Sequence, residues 1–579
     1  MHEMSWKHSG NPHRNHHSMI FWVWQCFAIQ LILGQIFTMS NAHHEVPVAY
    51  NEEIRSYAPG TADRSKLREA LAHLKDQTMD IPMMIDGQEI RTDNLISIHP
   101  PAETGHLLGH FYMGNANHVS DAIDAAMRAR NAWAAMPWQD RVAIFLKAAD
   151  LVTGPHRYAM NAATMLCQSK NVYQAEIEAV AELADFFRYN AQYITEIYAE
   201  QPESVPGVWN RVDYRPLEGF VFAVTPFNFT AIAANLPASA AMMGNTVVWK
   251  PSDTQVYSAW MTMQILREAG LPDGVINLVY CDGPEAGEVA LKHRDLGGVH
   301  FTGSTKTFQY MWKTIGENIS NYRSYPRIVG ETGGKDFVFA HPDCDVEGLN
   351  VALCRGAFEY QGQKCSAASR AYIPQSIWPQ LKTMLVDTVK TMKMGPTDDF
   401  SNFINAVIDE RSFDKIKGYI DQAKKDNIEV LIGGGCDKSK GYFVEPTILV
   451  TEDPKYRTMV EEIFGPVLTI YVYEDQDFEA VFDLVDDCEY ALTGAIFARD
   501  RADIEYMTSR LENAAGNFYV NDKPTGAIVG QQPFGGGRAS GTNDKAGSKW
   551  NLMRWVSIRT IKEVAVSPKD YRYPFLSKD

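Results

Sequence analysis

Two short stretches of this chain carry residue types that could do covalent chemistry together. The first is Gly362-Gln363-Lys364-Cys365-Ser366, a cysteine between a lysine and a serine with glycine close by. A thiol attacks as its thiolate, and nearby cations or backbone N–H groups lower its pKa enough to supply that form. The second is Gly330-Glu331-Thr332-Gly333-Gly334-Lys335, a carboxylate followed by paired glycines that let other groups approach closely. Read singly, both are ordinary: a lone cysteine suits a core and a lone glutamate a solvated surface. Read together they suggest a nucleophile and a base, which the fold must bring together from well apart in sequence.

The elements that would position them alternate. Gly219 to Val224 is a short apolar run ending at Thr225-Pro226-Phe227-Asn228. Ala231 to Met243 reads as a small-residue helix, kinked or interrupted at Pro237, and Thr246 to Trp249 as a buried strand stopped by Lys250-Pro251. A helix over 256–269 and strands over 275–279 and 298–302 follow, and two strands between 327 and 339 enclose the Glu331 turn. This alternation predicts a parallel sheet with helices on both faces, where ligands bind beyond the carboxyl ends of the strands. A second α/β region is expected to run to about 515. Upstream, Val119, Ile123, Ala126, Met127 and Trp133 fall at helical spacing with Ser120-Asp121 as a start signal, and the alanine-rich 176–195 repeats the helical period.

The strand ends carry suggestive groups. Lys250 follows one directly, and Phe301-Thr302-Gly303-Ser304-Thr305-Lys306 closes another. There is no GxGxxG fingerprint, although Gly303-Ser304 at a strand-to-helix turn could offer N–H groups to a phosphate. A plain turn glycine is the alternative. Further on, Thr525-Gly526-Ala527 precedes Pro533-Phe534-Gly535-Gly536-Gly537-Arg538, whose aromatic and arginine favour an ordered loop over a flexible linker.

Bulk properties narrow the function classes. At 579 residues the chain can build two or three well-buried domains. Its 45% hydrophobic and 22% charged residues are those of a globular protein, and a net charge of −17 argues against a nucleic-acid partner. Eight scattered cysteines without a CxxC pair suggest neither a metal site nor a disulfide framework. A nucleophilic Cys365 must stay reduced, which favours the cytosol or a mitochondrial matrix. Residues 1–44 stand apart: Met19 to Thr38 is almost entirely apolar and uncharged. It fits a membrane span, a long secretory signal, an organelle transit peptide, or sequence upstream of initiation at Met39.

Glu-x-Gly-Gly-Lys, then Gly-Gln-x-Cys, then Glu-Glu-Ile-Phe-Gly-Pro-Val at 461–467 resembles the aldehyde dehydrogenase superfamily. Within it the match is closest to the pyrroline-5-carboxylate (glutamate-γ-semialdehyde) dehydrogenases. That match is carried by Thr225-Pro226-Phe227-Asn228-Phe229-Thr230, Lys250-Pro251-Ser252-Asp253, Phe301 to Phe308, Phe358 to Ala367, Gly530 to Gly536 and Ala539 to Lys545. It covers roughly 45–570. The resemblance implies an α/β aldehyde dehydrogenase-like fold with a Rossmann-like NAD-binding domain, an α/β catalytic domain and a small oligomerisation element. On this chain these would be an extension at 1–44, a mainly NAD-binding part at 45–330 and a catalytic part at 331–537. Residues 538–579 would return to the NAD-binding domain and end in an oligomerisation tail. A hairpin at about 199–220 would serve oligomerisation, and the family works as a homo-oligomer, with a dimer the first expectation.

The same resemblance implies the roles. Cys365 would be the nucleophile, Asn228 with the Cys365 N–H the oxyanion donors, and Glu331 the base that activates water. NAD would be held by Thr225, Lys250, Gly303, Ser304, Thr305, Lys306, Thr307, Glu462 and Phe464, and Asp253 near the adenosine ribose would disfavour a 2′-phosphate. Ser366 and the N–H groups of Gly526 and Ala527 would hold a substrate carboxylate, without help from a cationic side chain. Ala527 departs from the serine of some members, so backbone donation alone is expected there. Phe308, where many aldehyde dehydrogenases have glycine, agrees with this subfamily. The implied reaction is NAD-dependent oxidation of glutamate γ-semialdehyde in the mitochondrial matrix, with membrane contact only if 19–38 is retained as an anchor. The competing readings are another semialdehyde dehydrogenase with a shifted carboxylate pocket, and a non-catalytic binding protein on the same fold.

Overall fold

The computed structural model describes Ala42 and residues 44–576, so the apolar stretch 19–38 lies outside the described residues. Among the described residues no helix is long and apolar enough to cross a membrane. Residues from Glu45 onward make one unit built on two seven-stranded sheets.

The first sheet runs, edge to edge, Arg327–Glu331, Leu296–Thr302, Phe220–Val224, Thr246–Lys250, Ile276–Leu278, Met83–Ile85 and Gln88–Ile90. Its first five strands are mutually parallel and the last two antiparallel. Thr246–Lys250 is buried throughout, and its Thr-Val-Val-Trp run is what a strand covered on both faces requires. The chain lays down Phe220–Val224, Thr246–Lys250 and Ile276–Leu278 in one direction. It then returns to the other side of Phe220–Val224 with Leu296–Thr302 and Arg327–Glu331. The crevice between Phe220–Val224 and Leu296–Thr302 is therefore a topological switch point, where such sheets bind ligands.

The second sheet runs Glu429–Ile432, Thr447–Thr451, Val467–Tyr473, Ala368–Pro374, Asp336–Ala340, Thr493–Phe497 and Asn517–Val520, parallel except for its first strand. It extends to residue 520, a little beyond the expected 515. The chain passes from the first sheet to the second within four residues, between Glu331 and Asp336. Each sheet has its own apolar core: Val221, Val247 and Trp249 lie in the first, and Val338, Ala371 and Ile470 in the second.

Three local expectations are corrected. The helix around Val119 spans Ala116–Ala135 and starts at Asn115, not at Ser120-Asp121. Asn115 Oδ1 accepts the Asn117 N–H while the His118 ring returns to the Asn115 N–H, and Ser120 merely bonds back to the Ala116 carbonyl inside the helix. The small-residue helix is not interrupted at Pro237: it spans Thr230–Met242 with the proline inside and almost every residue buried. Burial on all sides holds it despite the missing N–H. The hairpin expected at 199–220 is a single strand, Val208–Pro216, whose ladder is taken by Val556–Val564 over nine antiparallel pairs. Residues 201–210 turn back on it through the Val208 N–H on the Val205 carbonyl and through side chains, Ser204 and Gln201 bonding Asn210 and Val212.

Candidate active site

Glu331 is the last residue of the edge strand Arg327–Glu331, paired with Thr302, and its carbonyl accepts the Gly303 N–H at 3.1 Å. On its open side the segment 539–542 closes the edge. Thr332 N–H donates to the Ser540 carbonyl at 2.9 Å, and Gly330 and Thr542 bond reciprocally. Phe308 braces the strand from below, stacked on Phe301 and so close to Gly330 that a methyl group there would lie 2.2 Å from its ring.

Cys365 sits in the turn between a 3-10 stretch, Glu359–Gly362, and the strand Ala368–Pro374. Tyr360, Gln361 and Gly362 are all left-handed, with φ of 52°, 54° and 65°. Two of them carry side chains, a costly backbone that persists only when its surroundings impose it. The Gln361 amide imposes it, donating to the Ser169 and Ala406 carbonyls at 2.9 Å each. Gly362 is demanded by contact as well, since a methyl group there would lie 2.2 Å from the Gly465 carbonyl oxygen. Asn228 Nδ2 donates to the Gln363 carbonyl at 3.1 Å, which fixes its amide against the nucleophile loop with a second N–H to spare.

The paired glycines after Glu331 answer to contacts on both sides. A methyl group on Gly333 would lie 2.4 Å from Glu462 Oε2, and Glu462 Oε1 accepts the Gly334 N–H at 3.1 Å. Phe464, left-handed at φ 61°, sets its ring against Phe227, 5.8 Å between centroids.

A cavity of about 510 Å³ opens onto Cys365 and Glu331 and is lined also by Ser366, Gly526 and Ala527. Ser366 Oγ and Thr525 Oγ1 lie 2.8 Å apart, and the Gly526 and Ala527 N–H groups make no hydrogen bond within the described chain. A cation stands at this loop after all: Lys523 Nζ donates to the Thr525 carbonyl at 3.0 Å. The lining also carries Glu178, Glu182 and Asp185, from the π-helical stretch Glu176–Glu182 and the helix that continues it. Burial and the Glu178 charge push Glu182 up to about 8, and burial raises Asp185 to about 6. Sequence reasoning missed Lys523 and these carboxyls; acids recurring in an alanine-rich helix were the available signal.

The electrostatics correct one expectation outright. Lys364 does not face the thiol: its ammonium is buried and bonded to Glu359 Oε2 at 3.1 Å, with Arg355 on the other carboxylate oxygen at 2.7 Å. Burial pushes the Cys365 thiol up, and the carboxyls of Glu331, Asp336 and Glu462 add to the effect. Glu331 itself is raised to about 8 by burial, against a smaller pull from Lys545.

The positions expected to hold a dinucleotide lie outside this cavity, at the switch point and around 462–464. Thr225 Oγ1 accepts the Trp249 indole N–H at 2.9 Å, and Lys250 Nζ reaches Asp253 at 3.3 Å. Ser304 caps the helix Thr305–Glu317, accepting the Thr307 N–H, with Thr305 and Lys306 in the first turn.

The family model of the aldehyde dehydrogenase family matches residues 88–561. The chain belongs to the aldehyde dehydrogenase family. Among relatives of this family member, the Dictyostelium discoideum protein named delta-1-pyrroline-5-carboxylate dehydrogenase, mitochondrial, is 51% identical over 92% of this chain and 97% of its own length. The Agaricus bisporus protein named delta-1-pyrroline-5-carboxylate dehydrogenase is 50% identical over 93% of this chain and 99% of its own. Of solved structures, the Mycobacterium tuberculosis delta-pyrroline-5-carboxylate dehydrogenase bound with NAD superposes with a TM-score of 0.90 at 50% identity. It covers 93% of this chain and 100% of its own.

Proposed function

We propose that this aldehyde dehydrogenase oxidises L-glutamate γ-semialdehyde, the open form of 1-pyrroline-5-carboxylate, to L-glutamate with NAD, as the last step of proline breakdown. The observation that carries the reading is the cavity that joins Cys365 and Glu331 to the free N–H groups of Gly526 and Ala527. The N–H groups suit the substrate's α-carboxylate, and Cys365 and Glu331 meet the aldehyde at the other end of the same molecule. The names and NAD-bound state of the relatives support the same substrate and cofactor.

The donors at the switch point fit a dinucleotide. The first turn of Thr305–Glu317 offers N–H groups to phosphate, Thr225 and Lys250 stand at an adjacent strand end, and Glu462 offers a carboxylate to ribose hydroxyls. When bound, NAD supplies the acceptor for the hydride that the substrate carbon loses as the Cys365 adduct becomes a thioester.

The chain's own residues do the rest. Cys365 is kept protonated and inert by burial, and Glu331, poised at about 8, is a carboxyl able to take its proton. The thiolate adds to the aldehyde carbon, and the oxyanion formed takes the Cys365 N–H and the free Asn228 N–H. Once it has passed the thiol's proton to solvent, Glu331 as carboxylate removes a proton from water, whose oxygen attacks the thioester carbon and releases glutamate and the Cys365 thiolate. Cys365→Ala tests this directly: aldehyde oxidation is expected to vanish while NAD binding persists, and steady turnover in that variant would contradict the assignment.

Two further readings belong here. Trp209, Ile558 and Val564 on the ribbon and Val566, Tyr571 and Phe575 beyond it are exposed apolar residues that a second copy would cover. Light scattering on the purified chain reads the resulting dimer. The mitochondrial name of the Dictyostelium relative supports the matrix as the compartment, which import into isolated mitochondria tests.

A further inference from the structure

We propose that Asp336 is a positioning residue of the Cys365 site: a neutral carboxylic acid whose Oδ2 hydroxyl donates to the Cys365 carbonyl across Gly334, fixing the peptide plane beside the nucleophile. The proposal rests on the reading of Cys365 as the nucleophile.

Three observations lead to it. Asp336 is buried, its Oδ1 accepts the Thr493 N–H at 2.7 Å, and its Oδ2 is buried with no partner. The Cys365 carbonyl also receives no donor from the described chain. Both orphan oxygens converge on Gly334, where a methyl group would lie 2.3 Å from the Cys365 oxygen and 2.5 Å from Asp336 Oδ2. Two oxygens with lone pairs repel unless one carries a proton, and of these two only the carboxyl can. Burial raises Asp336 to about 8, with Glu462 adding to the effect and the Thr493 bonds and Arg370 opposing it, so it is protonated near neutrality. The network continues forward through Thr493, whose N–H Asp336 accepts and whose Oγ1 donates to the Ser366 carbonyl at 3.5 Å.

The groups facing Asp336 bear on its pH dependence. Lys335 is lowered to about 7 by burial and the Arg370 charge, Arg370 is a fixed cation, and Glu462, Cys365 and Tyr519 are all raised by burial. Arg370 is committed to the Lys335 and Val485 carbonyls and the Tyr372 hydroxyl, whereas Lys335 Nζ is buried without a hydrogen-bond partner.

The test compares Asp336→Asn, which keeps a donor and the Thr493 acceptor, with Asp336→Val, which keeps neither. Turnover is read with kcat and KM separately. Iodoacetamide alkylation of Cys365 across pH 6 to 10, read by intact mass, needs no substrate and so stands apart from the assigned reaction. Asp336→Asn is expected to keep kcat within about threefold, and Asp336→Val to lose about tenfold or more at unchanged KM. In Asp336→Asn, with no carboxylate forming beside the thiol, the alkylation curve is expected to move to lower pH. Equal losses in the two variants, wild-type behaviour in both, or an alkylation curve unmoved in Asp336→Asn would overturn the proposal. If Asp336→Val does not fold, the Asp336→Asn curve decides alone.

Discussion

Gly334 and Cys365 meet through backbone alone, so closely that a single methyl group on Gly334 would lie 2.3 Å from the Cys365 carbonyl oxygen. The second glycine after Glu331 is thus a consequence of where the nucleophile sits. Gly334→Ala must push the Cys365 turn away or twist it. Because ångström-scale misplacement of a reacting group costs about 100-fold, kcat is expected to fall by about that factor. Circular dichroism should show an intact fold, and near-normal turnover in a folded Gly334→Ala would contradict the packing described.

Glu331 predicts a pH dependence. As a base raised to about 8 it gains its active carboxylate as pH rises, so where deacylation limits turnover kcat should climb through that value. Glu331→Gln removes the base: rapid mixing should show a burst of NADH, then slow turnover, with the pH rise gone. The stability sign is opposite. The folded value lies above the unfolded one, so the neutral carboxyl stabilises the fold at low pH and this contribution fades as pH rises toward about 8. Melting temperatures at pH 5.5 and 8.5 should converge in Glu331→Gln relative to wild type.

Asn228 is held by one N–H on the Gln363 carbonyl, leaving the other for an oxyanion. Asn228→Ala should lower kcat by about 10²–10³, the usual cost of losing such a donor. A loss confined to KM would show that the amide serves binding and not the transition state.

Lys364 gives the sharpest contrast between neighbouring in sequence and neighbouring in space. Its charge is spent on Glu359, so Lys364→Met should move the pH midpoint of Cys365 alkylation by less than about half a unit. It should cost up to about 3 kcal/mol of stability, since Arg355 remains on Glu359. A large upward shift of the midpoint would restore Lys364 as the activator of the thiol.

That contrast also marks what was legible in advance. Strand, helix and turn around 219–339 follow from apolar runs and their stops, because parallel strands buried on both faces leave an unbroken hydrophobic signature. The pairing of Val208–Pro216 with Val556–Val564 leaves none, being a contact between distant segments that neither encodes locally. The start at Asn115 was hidden because His118 stands where a capping box has an acid. Side-chain direction was hidden for the same reason at Lys364 and at Lys170. The latter is fully buried between the Phe229 and Tyr360 rings and paired with Glu178 at 2.7 Å, so it joins the Asn228 and Cys365 loops from a position that reads as a surface lysine.

The most direct test of the account is NADH formation by the purified protein with pyrroline-5-carboxylate, set beside succinate semialdehyde and propanal at matched concentrations. The account predicts preferential turnover of pyrroline-5-carboxylate, because the cavity joins donors for that substrate's carboxylate to the Cys365 thiol and Glu331 carboxyl that meet its aldehyde. Equal or better turnover of propanal would contradict it, since an aldehyde with no carboxylate makes no use of the 525–527 loop.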